Sequence, residues 1–252
     1  MLQQSAQSSA EPRPRPIQFR PLAALQRAYA TNRTLTLLGV LMLVALAASI
    51  LGLLFDPRTI TGVPAWLKPF KFAVSISLYA FTLIWILSFV QGRRFWLRLV
   101  SGATLVILLG EMVLVITQVL RGTTSHFNRA TPFDTAMFSA MGMMISALWV
   151  IQLIAALLLI FQRLPDRAFA WSLRLGLLLA LVGAALGFLM TTPSAAQLAQ
   201  LQAGAHLSVI GAHSVGVPDG GPGLPITGWS STGGDLRISH FIGLHALQIL
   251  PL

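Results

Sequence analysis

The chain has no cysteine and very little charge. Without cysteine there can be no disulfide, no thiolate metal site and no thiol nucleophile. Charged residues make up 10% of the 252 residues and apolar ones 55%, whereas a soluble domain is roughly one quarter charged. Such a chain cannot cover a water-facing surface, so its solvent is largely lipid. Acidic residues are scarcest, seven against seventeen Lys and Arg, for a formal charge of +10. The excess does not point to nucleic acid, because the arginines stand at the ends of apolar runs and not together on one basic face. Lysine is almost absent as well: Lys68 and Lys71 are the only two beside fifteen arginines.

What is present is a series of long apolar runs. They predict an all-α, polytopic transmembrane helix bundle of about six helices, near 34–55, 70–90, 97–120, 135–161, 169–190 and 238–252. The first five are each long enough to cross a hydrocarbon core of roughly 30 Å at 1.5 Å per residue. The last would reach only some 22 Å, which suggests a half-spanning or truncated segment. The first run is too long for the core of a cleavable leader and fits a spanning helix. Residues 1–33 form a basic tail with Pro12, Pro14, Pro16 and Pro21. It is expected to be disordered to about Gln18, with room for a short interfacial helix before Arg33.

Lys and Arg set the expected orientation. With the N-terminus inside, the inner segments hold eleven of them and the outer segments six. The positive-inside rule therefore puts the N-terminus in the cytoplasm and the protein in the cell (inner) membrane. The outer side then carries a long loop, 191–236, with a short surface helix within Ser194–Leu207 followed by a Gly/Pro-rich run.

Polar residues recur at helical spacing in three runs. The second run has Lys68, Lys71, Ser75, Tyr79 and Thr82. The third has Thr104, Glu111 and Gln118, leading to Arg121, Thr123 and His126. The fourth has Thr135, Ser139, Gly142 and Ser146. Such seams are expected to face one another across the bundle, although Ser and Thr also pack helices without any further role. Glu111 falls near mid-membrane, where an unpaired carboxylate costs several kcal/mol, and this makes it a candidate acid or base. Lys68 and Lys71 flank Pro69 at a helix start, against both the macrodipole and the charge bias. An anion is expected to meet them: a lipid phosphate, a substrate carboxylate, Asp134 or Asp235.

All five histidines fall on the outer side. His126 lies in Arg121-Gly-Thr-Thr-Ser-His-Phe-Asn128, and His240 and His245 lie in the last run. Neutral imidazole suits metal or haem ligation and proton transfer. A five-residue step turns about 140° around a helix, so His240 and His245 do not share a face. His126 with one of them and a carboxylate is the more reasonable metal set, while His206 and His213 read as loop residues. Asp235 is a credible N-cap after Gly233-Gly234, and it doubles as a catalytic candidate. Gly183-Ala-Ala-Leu-Gly187 reads as a packing face. Met137, Met141, Met143 and Met144 read as core or lipid-facing packing.

The motifs Trp66-Leu-Lys-Pro-Phe-Lys-Phe72, Arg121 to Asn128, and Gly233-Gly-Asp-Leu-Arg237 to His245-Ala-Leu-Gln248 together resemble those of a family of bacterial multi-pass inner-membrane proteins to which no activity is attached. Beside the metal-dependent membrane hydrolases of the alkaline ceramidase and adiponectin receptor type, the spacings differ. Ser125 and His126 are adjacent where those enzymes space the pair by four, and the last two histidines are five apart instead of four.

The leading expectation is a membrane-embedded enzyme or redox protein with an outward-opening polar pocket. Glu111, His126, His240 and Asp235 would be its catalytic groups, with a metal ion or haem on His126, His240 and His245. Lys68, Lys71, Arg121, Asn128, Trp229 and Arg237 would orient an anionic or lipid-like substrate. The rivals are a proton-coupled transporter or sensor built on Glu111, and a structural protein without chemistry. The oligomeric state is left open.

Overall fold

The computed structural model describes residues 20–251. The expected disorder up to about Gln18 falls outside them. Helix α1 (Pro21–Thr31) opens with proline in its first turn and stops at Asn32, whose extended backbone also starts α2 (Arg33–Phe55). The Asn32 side chain accepts a hydrogen bond from the Leu35 N–H at 3.0 Å, so one residue ends α1 and caps α2. A short hairpin, β1 (Thr59–Ile60) and β2 (Val63–Pro64), leads to α3 (Leu67–Leu87). Helices α4 (Arg94–Leu120), α5 (Pro132–Ile160) and α6 (Arg167–Met190) follow. The long loop contains α7 (Ala195–Gln202) and pairs β3 (Ser214–Val215) with β4 (Gly234–Asp235) before α8 (Leu236–Ile249).

Helices α2, α3, α4, α5 and the stretch containing α6 are each long and apolar enough to cross a membrane. The chain is therefore an all-α, multi-pass membrane bundle. Helices α3 to α6 begin two or three residues earlier than their apolar runs, because polar and aromatic residues such as Lys68, Arg94, Phe95 and Trp96 extend the helices beyond them. Helix α3 also ends at Leu87, short of Val90.

Alternating helix directions gather most of the described arginines at one end. The start of α2, the end of α3 and the start of α4 meet there, and the Gln91 N–H donates to Gln162 Oε1 at 3.4 Å to tie in the α5–α6 link. At the opposite end the Arg58 guanidinium reaches the Leu120 carbonyl at 3.4 Å, and the Ala212 N–H donates to Met190 O at 3.0 Å. These two regions are the arginine end and the loop end of the bundle.

Helix α8 lies antiparallel against α6 through glycines. A Cβ added at Gly183 would stand 2.6 Å from the Gly243 Cα, a backbone approach that only glycine permits. Between α5 and α6, the Trp149 indole N–H donates to Leu181 O at 3.0 Å.

The polar seam of α5 does not face the bundle. Ser139, Gly142 and Ser146 are exposed and Thr135 is half-buried. The buried stripe is Asp134, Phe138, Met141, Leu148 and Ala155, displaced from the seam by one residue, or about 100° of helix. The exposed Ser146 hydroxyl costs little because it has a local acceptor: its Oγ donates to Gly142 O at 2.8 Å. Replacing Ser139 and Ser146 together by alanine should shift stability by less than about 0.5 kcal/mol, read by thermal unfolding in detergent. A larger loss would mean that this stripe packs on another surface in the assembled protein.

Candidate functional site

Three buried polar positions of α4 rise towards the loop end. Glu111 is 1% exposed and neither carboxylate oxygen has a hydrogen-bond partner; Thr104 Oγ1 is also buried without one. Gln118, fully buried, donates to Asp134 Oδ1 at 2.9 Å. The Arg121 guanidinium donates to the same Asp134 oxygen and to Gln118 Oε1. Thr131 caps α5 by accepting the Asp134 N–H and returns its own proton to Asp134 Oδ2 at 2.6 Å. Arg121 also lies 4.4 Å over the Phe133 ring. Arg121 and Asp134 thus close a cluster that locks α4 to α5, and the guanidinium is committed before any ligand arrives.

Lys68 is the cation whose field reaches Glu111, across more than ion-pair distance. Its charge also reaches His126. That ring sits in an aromatic cage of Phe72, Phe127 and Phe138, with centroids at 5.9, 6.3 and 6.4 Å. The Ser125 hydroxyl lies 3.1 Å from His126 Nδ1. Burial, reinforced by the Lys68 and His213 charges, holds His126 well below the ordinary histidine value. It is therefore a neutral acceptor near pH 7.

His213 carries the line outward. It packs edge-on to Phe127 at 4.8 Å and meets the Asp219 carboxylate through Nδ1 at 3.0 Å. Burial and then the Arg237 charge lower its pKa, against the pull of Asp219. Burial alone would raise Asp219, but the N–H groups of His213 and Ser214 outweigh it and keep the carboxylate lowered. Spacing hid this pair: His213 and Asp219 flank Gly216 and Pro218, so only the turn brings them together.

The other candidates serve the loop framework. Asn128 is buried, donating to Thr123 Oγ1 at 2.9 Å and to the Thr124 carbonyl at 3.1 Å while accepting the Ala130 N–H at 3.0 Å. The Asp235 side chain is fully buried. It caps α8 through the Arg237 N–H at 2.9 Å, accepts the Ser230 N–H at 2.7 Å, and pairs with the Arg237 guanidinium at 2.6 Å. Burial alone would raise its pKa; Arg237 and the backbone donors outweigh that and hold it at about 2. Arg237 also donates to Gly228 O at 2.6 Å. Trp229 packs edge-on to Phe241, with ring centroids 5.7 Å apart. Lys71 is exposed and reaches the Thr227 carbonyl at 3.4 Å.

The histidines named for a metal sit in three surroundings. His126 is caged between α3 and α5. His240 Nδ1–H donates to Gly183 O at 2.7 Å, on α6. His245 lies on the Phe241 ring at 4.4 Å. Among the described residues no three His, Asp or Glu side chains come together as a metal site. No protein family, curated protein or solved structure matches the chain.

Proposed function

We propose that this protein is a membrane-embedded acid–base enzyme in which Glu111 holds the working proton. Lys68 sets its charge, and His126 with the His213–Asp219 pair exchanges the proton with the loop end. The observation that carries this reading is the Glu111 carboxylate itself, 1% exposed and without a hydrogen-bond partner on either oxygen. A buried, unbonded acid costs several kcal/mol and is kept where its proton has a use. Lys71 and Arg129, neither paired with a carboxylate among the described residues, would meet an anionic or lipid-like substrate. In this reading the arginine end is cytoplasmic and the loop end faces outward, in a bacterial inner membrane.

Infrared difference spectra of lipid-reconstituted protein between acidic and alkaline buffer should contain a carboxylic C=O band that Glu111→Gln removes. Lys68→Met should move the midpoint of that band while leaving it in place. A band untouched by Glu111→Gln, or no titrating carboxyl at all, would sink the proposal.

One observation favours a second reading, proton-coupled transport. Buried polar side chains line α4 from Ser101, bonded to Asn32 at 2.7 Å, through Thr104 and Glu111 to Gln118. From Ser101 to Gln118 is seventeen steps along the helix, a rise of about 25 Å and most of a bilayer core. In liposomes, a pH-dependent flux abolished by Glu111→Gln would select transport. Silence under every gradient, with the infrared band intact, would select the enzyme.

A further inference from the structure

The arginine end carries a second feature, remote from Glu111. The start of α2, the end of α3 and the start of α4 enclose an open cavity of about 480 Å³, within the usual range for small-molecule sites of roughly 300–1,000 Å³. One part of its wall is Arg33, Arg94 and Arg98, with Asn32 and Ser101 at its polar floor; another is Ile84, Leu87, Val90 and Leu97. Cations and hydrocarbon thus share one space.

Nothing described balances those cations. Asp166 is the one described acidic residue at this end, and its side chain is spent on the Ala168 and Phe169 N–H groups that start α6. Among the described residues no carboxylate lies within ion-pair distance of Arg33, Arg94 or Arg98. Arg94 and Arg98 are four apart on one helix, a spacing at which like charges repel. The cavity also receives the first turns of α2 and α4, and no side chain caps α4. Free N–H donors and the positive dipole end therefore add to the guanidinium field.

We propose that this cavity binds the headgroup of an anionic phospholipid. The phosphate would lie among Arg33, Arg94, Arg98 and the uncapped start of α4, and an acyl chain would pass Leu97, the apolar lining residue that is not already buried in the core. A lipid is the occupant because the site lies at the end of helices long and apolar enough to span a bilayer, where headgroup phosphates stand beside hydrocarbon.

The test is saturable stabilisation of delipidated, detergent-solubilised full-length protein, followed by thermal unfolding. Phosphatidylglycerol should raise the midpoint, whereas phosphatidylcholine and inorganic phosphate should not. Replacing Arg94 and Arg98 together by glutamine should weaken the response on the order of tenfold. The pair Arg163→Gln and Arg167→Gln removes the same charge at the same end but outside the cavity, and it should keep the response. Leu97→Trp fills the cavity with no change of charge and should also weaken it, which keeps the test decisive if the arginine variant fails to fold. Equal loss in both arginine pairs would mean a diffuse basic surface, and an equal shift with inorganic phosphate a free-anion site. Either result, or an equal response to the two lipids, overturns the proposal.

Discussion

Gly183→Val should prevent α8 from seating on α6 and leave little folded protein in detergent. The obstacle is backbone. A Cβ at Gly183 would meet the Gly243 Cα at 2.6 Å, and one at Gly243 would meet the Gly183 Cα at 2.5 Å and the Leu179 carbonyl at 2.9 Å. Side chains can rotate out of such a contact, but two helix backbones must separate. The cost then exceeds the about 1–3 kcal/mol of ordinary overpacking. It also breaks the bond from His240 to the Gly183 carbonyl, 2.7 Å long, and frees the attachment of the 203–235 loop. Gly187→Ala should be milder, because its nearest neighbour is the His240 ring at 3.1 Å, and Gly142→Ala should be neutral, with open space around it. Thermal unfolding with limited proteolysis of the loop reads all three. A Gly183→Val protein with a wild-type midpoint and an uncleaved loop would refute this account of the interface.

Asp235→Ala should be the most damaging change in the loop region. The side chain is fully buried, and it holds Arg237, the Ser230 N–H and the first turn of α8 together. Removing it leaves two backbone donors and one face of a partly exposed guanidinium unpaired, a loss of roughly 2–3 kcal/mol. Asp235→Asn should keep part of the cap and lose less. Acid should act on the same group. Its folded pKa of about 2 lies below the ordinary 3.8, so the unfolded chain takes up the proton first. Its contribution is complete above about 4 and is lost as the pH falls towards 2, about 2 kcal/mol in all.

His126 and His213 act earlier and in the same direction. Both are lowered from 6.5, so below that pH the unfolded chain binds protons that the fold refuses. Unfolding midpoints should therefore decline in two stages on acidification, and Asp235→Asn should weaken the lower one, which it shares with Asp56 and Asp219. A midpoint that stays level from pH 7 to about 3 would contradict both assignments.

The bundle is legible in sequence because apolar runs must satisfy their backbone internally when their solvent is lipid, and helices do that within one segment. Local chemistry is legible for the same reason. Asp235 as an N-cap, the helix after Ser194, the Gly183–Gly187 packing face, and His240 and His245 on different faces all depend on residues a few positions apart. Pairings across loops are not legible. Asp134 and Asp235 were open as partners for the lysines, yet Arg121 and Arg237 hold them. Lys68 feels Glu111 instead. His213, which reads as a plain loop residue, joins the electrostatic line from His126.

By itself, then, the sequence determined that the chain lives in a membrane as helices, where those helices lie, and that Glu111 sits far from water. Only the tertiary structure decided which way each face turns. A spacing of three and four says which residues share a stripe but leaves the rotation of the helix free. In α5 a rotation of one residue puts Ser139 and Ser146 outside and Phe138 and Met141 towards the bundle. Neighbouring helices set that angle, through contacts between residues far apart in the chain.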